Sequence, residues 1–313
     1  MADIPRNHPV LRLGTRQSPL AMAQARETAN RLCAAHGWAE GAVELVPVVA
    51  SGDKIQDRPL AEIGGKALWT KELDAWLAAG EIDASVHSLK DVETLRPEQF
   101  TLGAILERAD RRDRLLGAAS IRAIPQGAVV GTSAPRRAAQ LLHARPDCKV
   151  VTFRGNVATR MAKLASGEAD ATFLAAAGLE RLGESGVGTP LDAQDWLPAP
   201  SQGAIAVECR SDDQEVRALL SAIDHAATRA EVLAERALLE ALGGTCHSPI
   251  AVLCEQDGDA LAMRAAIYSA DGADRTEGEA RFAAGDLDAP RALGRDLLAR
   301  ATPAIRALFG GEP

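Results

Sequence analysis

The stretch Ile82-Asp83-Ala84-Ser85-Val86-His87-Ser88-Leu89-Lys90-Asp91-Val92 runs from a short strand into a turn that carries an imidazole, a hydroxyl, an ammonium and a carboxylate. Gly80 closes the helix before it, so Ser88 to Asp91 fall in the loop beyond the strand's carboxyl end. Open α/β sheets bind their ligands at that edge. Taken alone, the same residues also read as a solvated loop with a local Lys-Asp pair, because surface charges need no special explanation. The rest of the chain has to decide.

Working outward, strand and helix signals alternate. Val10 to Thr15 is a strand, Ser18-Pro19 supplies an N-cap and a first-turn proline, and Gly37 ends the helix that follows. Val43 to Val49 is a second strand. Ala50 to Lys66, ending in Gly64-Gly65-Lys66, reads as a loop long enough to be a lid. A helix from Ala67 to Ala79 carries Leu68, Leu73, Trp76 and Leu77 on one side, with Trp69 off that stripe and turned to the cleft. Leu102 to Leu106 is a strand. The charge run Glu107 to Asp113 reads as a solvated turn. Val129 to Ser133 leads from strand to helix opening, as does Val150 to Phe153 with Arg154-Gly155-Asn156 after it. Asp170 to Leu174 and Ala175 to Leu182 continue the alternation, which argues for mostly parallel sheets covered by helices.

Pro190 to Pro200 is a connector around Trp196, after which Gly203 to Cys209 resumes a strand. Helices are expected over Asp213 to Ile223 and Thr228 to Leu242. Asp257-Gly258 and Asp271-Gly272 are hairpin signals between strands at Ile250 to Cys254, Leu261 to Tyr268 and Thr276 to Phe282. One helix, Asp286 to Leu308, ends the chain. The carboxyl third is thus a small antiparallel sheet with helices, unlike what precedes it.

Arginines recur where helices open: Arg16, Arg136, Arg137, Arg154 and Arg160. A helix amino end is already partly positive, and a like charge there costs about 0.3–1 kcal/mol unless an anion is present. These positions therefore point to an anionic ligand. The chain as a whole does not favour a nucleic acid, since its 313 residues carry a net charge of -8 and only 3% aromatics. No apolar run approaches the roughly 20 residues of a membrane span, and Met1 to Pro9 lacks a signal core, which reads as cytoplasmic. The five cysteines (33, 148, 209, 246, 254) lack CxxC spacing, so neither a disulfide framework nor a metal site is indicated. Cys246 stands apart from the others, on the polar turn Gly243-Gly244-Thr245-Cys246-His247-Ser248-Pro249, where a reactive thiolate is at home.

Leu13-Gly14-Thr15-Arg16-Gln17-Ser18-Pro19-Leu20-Ala21, Gly64-Gly65-Lys66, Val86 to Asp91, Gly131-Thr132-Ser133 with Arg136-Arg137, Arg154-Gly155-Asn156-Val157 with Thr159-Arg160, Ala177-Gly178-Leu179 with Arg181-Leu182-Gly183, Gln202-Gly203-Ala204 and the Cys246 turn occur in that order. Together, over about residues 10 to 255, they closely resemble the porphobilinogen deaminase (hydroxymethylbilane synthase) family. The resemblance implies two periplasmic-binding-protein-like α/β domains with mainly parallel sheets plus a small α+β carboxyl-terminal domain with a three-stranded antiparallel sheet. The implied units are 1–104 with 202–224, then 105–201, then 225–313. The implied activity joins four porphobilinogens head to tail into hydroxymethylbilane, releasing ammonia each time, on a covalent dipyrromethane cofactor held by Cys246. The implied protein is a monomer that meets porphobilinogen and the growing chain, with no nucleic acid or membrane partner.

Each pyrrole bears an acetate and a propionate, which suits planar guanidinium forks. Loss of ammonia leaves a cationic azafulvene, and the next ring attacks it before losing a proton; a carboxylate facing the pyrrole N–H can stabilise that charge. By resemblance Asp91 is the catalytic carboxylate. Ser88, Lys90, Thr132, Ser133, Arg136, Arg137, Arg154, Gly155, Asn156 and Arg160 are implied to hold the cofactor beside Cys246. Arg16, Ser18, Lys66, Trp69, Arg181 and Gln202 are implied to meet substrate or growing chain. The chain departs from the family pattern at Glu62, Trp69, Ala134 and Thr245, and Ala134 lacks a hydroxyl often found there. A non-catalytic anion-binding protein of the same fold would need the arginines but neither Asp91 nor Cys246. A cysteine hydrolase using Cys246 and His247 is disfavoured, because adjacent residues seldom place their side chains in nucleophile-base geometry.

Overall fold

The computed structural model describes residues 10–48, 70–245 and 247–309. Glu62, Lys66, Trp69 and Cys246, the whole of the expected lid from Ala50 to Lys66, and positions 67–69 of the expected helix lie outside the described residues.

The first sheet begins with β1 (Leu11–Arg16), whose alternation buries Leu11 and Leu13. Ser18 caps α1 (Pro19–His36) by accepting the Ala21 N–H, and Gly37 at φ 65 ends it in the left-handed region. β2 (Val43–Val48), β3 (Ala84–Ser88) and β4 (Phe100–Ile105) follow, with α2 (Lys71–Ala78) packed against β1 and β3. The strand that completes this sheet comes from much later: β10 (Ile205–Arg210) inserts between β3 and β4, giving the order β2-β1-β3-β10-β4. β1 pairs in parallel with β2 and β3, and β10 pairs antiparallel with β3 and β4, so four strands share one direction and β10 opposes them.

The second sheet repeats that plan. β5 (Asp113–Leu116), β6 (Val129–Gly131), β7 (Lys149–Val151), β8 (Ala171–Ala175) and β9 (Thr189–Pro190) are ordered β7-β6-β8-β5-β9, with β5 the reversed strand. Its helices are α3 (Pro135–Ala144), α4 (Val157–Ala165) and α5 (Ala176–Arg181). In each sheet the reversed strand is the one the chain enters after crossing from the other. Two crossings result, one at 106–112 and one at 201–204, and they are hydrogen-bonded side by side through Leu106 N to Ile205 O and Ala109 N to Gly203 O.

Past α6 (Gln214–Ser221) and α7 (Ala226–Ala241), the strands β11 (Ile250–Asp257), β12 (Ala260–Tyr268) and β13 (Arg275–Ala283) form the third, antiparallel sheet. The fold class expected from the resemblance is the one observed. Each sheet has its own apolar core, around Leu13, Leu32, Val86 and Val207 in the first, Val130, Leu141, Phe173 and Trp196 in the second, and Leu238, Val252, Met263 and Leu297 in the third.

Two expectations are corrected and one strand is added. The run Glu107 to Asp113 is no solvated turn: the Arg108 side chain is 3% exposed and that of Asp113 is fully buried. Arg108 forms a two-pronged pair with Glu235 of α7 at 2.8 and 3.0 Å, and Arg111 reaches Glu231 at 2.9 Å, so the crossing is clamped to the third unit by charge pairs. β5 begins at the last residue of that run and was not expected, because its first residue is a buried carboxylate that no strand pattern would place in a core. The final helix is two, α8 (Asp288–Arg300) and α9 (Pro303–Arg306), because Pro303 lacks the N–H a continuous helix needs and Thr302 caps a new start at Ile305 N.

Candidate active site

β1 and β3 are parallel neighbours, so their carboxyl ends bring Arg16, Ser18 and the Ser88 to Asp91 turn to one place. A pocket there is lined by Arg16, Ser18, Leu20, Ala21, Gln24, Val86, His87, Ser88, Asp91 and Val92. Four of these, Arg16, Ser18, Ser88 and Asp91, were expected from the sequence. Leu89–Asp91 forms a single 3-10 turn, which turns Leu89 inward as a fully buried anchor. Among the described residues the Asp91 side chain has no hydrogen bond or ion pair.

Gln24 was missed. Its amide donates to Ser88 Oγ at 2.8 Å from the buried face of α1. The available signal was a polar side chain sharing a helix face with Ala21, Ala25 and Thr28. His87 is also part of the wall, with Nε2 2.9 Å from Ser85 Oγ and 3.3 Å from Glu208 Oε2. Burial, and then the Arg96 guanidinium, push it down to about 4, so this imidazole is neutral at physiological pH.

The cations stand around this pocket. Burial pushes Lys90 down to about 8, with Asp91 and Asp113 favouring its charge and Arg137 and Arg136 opposing it. Burial and the nearby Arg137 and Arg154 push Arg160 down to about 10, while Asp91 opposes that shift. Lys90 and Arg160 therefore share Asp91 and Arg137 as electrostatic neighbours, and Arg160 is also within reach of Arg154. Asn156 caps α4 through Thr159 N at 2.9 Å, Gly155 sits at φ 110 beside it, and Arg160 Nε donates to Gly155 O at 3.0 Å.

Other expected residues are engaged differently. Arg136 and Arg137, 5% exposed, each place Nη2 2.7 Å from an oxygen of Asp113, and their remaining Nη1 groups meet Leu197 O and Phe173 O. The anion that relieves charge at this helix opening is thus in part the protein's own. The Nε atoms of both arginines are buried without a partner among the described residues. Thr132 Oγ1 accepts the N–H of Ala134 at 3.2 Å, α3 opens at Ala134 without a side-chain cap, and Ser133 Oγ donates to Phe153 O. Arg181 is tied to Glu27 Oε2 of α1 at 3.2 Å and to Gly203 O at 3.1 Å. Gln202 is 1% exposed.

Of the described cysteines, Cys148, Cys209 and Cys254 are buried, and Cys33 is half-buried in α1. Burial pushes Cys209 up to about 11 and raises Cys148 and Cys254. Thr245 N donates to Ser248 Oγ at 3.1 Å, and His247 N to Thr245 Oγ1 at 3.1 Å.

Two α/β sheets joined by a double crossing carry a cation-rich site with a carboxylate unpaired among the described residues, the setting of an anion-binding site in an α/β protein. Residues 11–218 match the family described as porphobilinogen deaminase, dipyromethane cofactor binding domain, and residues 229–302 match porphobilinogen deaminase, C-terminal domain. The porphobilinogen deaminase of Sphingopyxis alaskensis is 59% identical over 305 residues, 96% of each chain. That of Paracoccus denitrificans is 47% identical over 300 residues, 95% of each. That of Xanthomonas axonopodis pv. citri is 48% identical over 288 residues, 91% of this chain and 93% of the relative. The chain belongs to the porphobilinogen deaminase family. It is a deaminating transferase of tetrapyrrole biosynthesis that assembles hydroxymethylbilane from porphobilinogen on a dipyrromethane cofactor. No helix among the described residues is long and apolar enough to cross a membrane.

Proposed function

We propose that Asp91 is the carboxylate on which each condensation turns, and that Cys246 anchors the dipyrromethane. What carries this reading is the Asp91 side chain, which lines the pocket without a protein partner among the described residues while cations surround it. A carboxylate left in that state is an acceptor waiting for a donor, and pyrrole N–H groups are such donors.

The residues fit the cofactor. Its two rings bring an acetate and a propionate each, and the buried, unpartnered Nε atoms of Arg136 and Arg137 are donors in want of acceptors. Lys90, with one long contact to Gln202 Oε1 at 3.4 Å, and Arg160, with a single side-chain bond to Gly155 O, have donors to spare among the described residues. Ser88, Thr132, Ser133, Arg154 and Asn156 complete that set, and Arg16, Ser18, Lys66, Trp69 and Arg181 meet the incoming porphobilinogen or the growing chain. When bound, the dipyrromethane supplies the free α-carbon from which the chain grows. Asp91 holds the pyrrole N–H at its carboxylate oxygens, stabilises the positive charge that develops as ammonia leaves the substrate, and takes part in the proton transfers that follow. His87 is neutral and hydrogen-bonded to Ser85, which leaves Asp91 as the anion of the pocket wall.

The units of this machine are 1–104 with 202–224, 105–201, and 225–313, a division supported by the return of β10 to the first sheet and by the separate third sheet. The protein acts as a cytoplasmic monomer without a nucleic-acid partner, a reading supported by its net charge of -8. Intact-protein mass spectrometry tests the anchor. The purified chain should exceed its own mass by two porphobilinogens less two ammonias, the excess should map to Cys246, and Cys246→Ser should lose it. A bare chain in active enzyme, or an adduct on Cys209 or Cys254, would refute the assignment.

A further inference from the structure

The first residue after the outward crossing is Asp113, and its buried carboxylate accepts four side-chain hydrogen bonds. Oδ2 takes Arg136 Nη2 at 2.7 Å and Trp196 Nε1 at 2.9 Å, while Oδ1 takes Arg137 Nη2 at 2.7 Å and Gln202 Nε2 at 2.8 Å. Gln202 stands on the returning crossing. Its Nε2 also donates to Arg111 O at 2.9 Å, which orients the amide so that Oε1 faces Lys90 Nζ at 3.4 Å. Lys90 belongs to the β3 side of the site, and Arg136 and Arg137 to the α3 side.

The backbone around Gln202 is held in an uncommon shape to make this link. Ser201 has φ 61, a left-handed conformation that no other described non-glycine residue adopts, and Gly203 follows at φ 88 with no room for a Cβ beside Ala109 O. Ser201 N donates to Glu235 Oε2 at 2.6 Å, so the carboxylate that clamps Arg108 also secures this turn. Backbone strain of this kind persists where the surroundings over-determine it, and it collects at functional positions.

Resting on the function proposed above, we propose that Asp113 is a positioning residue of the transfer reaction: it holds Arg136 and Arg137 directly and Lys90 through Gln202, so that cations from both sides of the site present one surface to the carboxylates of the primer. Two arginines and a lysine gathered by themselves would repel and splay. One buried carboxylate beneath them offsets part of that repulsion and still leaves the set net positive, ready for the ligand. Asp113 is also one of the two carboxylates that favour the Lys90 ammonium.

Asp113→Asn keeps the shape and removes the charge; Gln202→Met leaves that charge in place and removes the arm to Lys90 together with the Gln202 bonds to Asp113 Oδ1 and Arg111 O. Both are to be compared with wild type by intact mass for the fraction of chains bearing the Cys246 adduct, and by kcat/KM against pH. In Asp113→Asn the adduct-bearing fraction should fall several-fold and the alkaline limb of kcat/KM should move to lower pH by about one unit. In Gln202→Met the adduct should persist while the limb moves in the same direction by a smaller amount. A folded Asp113→Asn with wild-type adduct and an unmoved limb overturns the inference. If Asp113→Asn does not fold, Gln202→Met decides, and an unmoved limb there overturns it. A wild-type chain without any adduct overturns the functional reading itself, an outcome seen before any variant is made.

Discussion

Lys90 offers the sharpest quantitative test of the site. Burial lowers its pKa to about 8, and Asp91 beside it is not enough to restore the usual value. With that midpoint the side chain is about nine-tenths ammonium at pH 7 and about one-tenth at pH 9. If only the ammonium holds a ligand carboxylate, kcat/KM for porphobilinogen falls about tenfold over those two units, since kcat/KM reports the ionisations of the free enzyme. The direction follows from the charge: deprotonation removes a cation from an anion site, so the loss comes as pH rises through about 8. Lys90→Arg keeps a charge that does not titrate in this range. Its kcat/KM should change less than about twofold across the same window, whatever its absolute value. Lys90→Gln should be low and lack the limb near pH 8, which separates Lys90 from the substrate's own amine, since any titration of that amine would appear in all three proteins. Ammonia release measured from pH 6.5 to 9.5 supplies the profiles. A wild-type profile without a limb near pH 8, or a Lys90→Gln profile with the wild-type limb, refutes the role given to Lys90.

Asp91→Asn preserves shape but loses the charge that faces the pyrrole N–H, and turnover should drop by about a thousandfold, equivalent to about 4 kcal/mol, with the thermal transition unchanged. Near-normal ammonia release from that variant would take Asp91 out of the mechanism. Gly131→Ala tests the packing behind the Thr132-Ser133 turn: a Cβ there would lie 2.4 Å from Phe153 Cγ, on a ring that is 2% exposed and has little room to yield. Overpacking of that sort costs about 1–3 kcal/mol and should lower the melting temperature by several degrees in a thermal scan. An unaltered transition would mean that β6 and the Phe153 loop separate freely.

Much of the architecture was legible because it is written locally. Ser18-Pro19 and Gly37 bracket α1 by capping chemistry that needs no distant partner, Asn156 opens α4 in the same way, and the Asp-Gly pairs mark the hairpins of the third sheet. The ordered motifs also identified the family and singled out Asp91, because residues at the carboxyl end of β3 are placed by the strand itself. Tertiary structure alone decided where the reversed strands β5 and β10 insert, since strand order depends on pairings between segments far apart in sequence, such as Cys209 with Ala84. It alone turned Glu107 to Asp113 from an apparent surface turn into a crossing that buries the side chains of Arg108 and Asp113: a charge reads as solvated until its counter-charges, here Glu235, Arg136 and Arg137, are known to lie against it. It also divided the arginines. All five sit at helix openings in the sequence, yet Arg136 and Arg137 share an internal carboxylate while Arg160 makes a single side-chain hydrogen bond, to Gly155 O, among the described residues. Helix position can say that an anion is wanted there. Only the packing of distant segments says whether the protein supplies that anion itself.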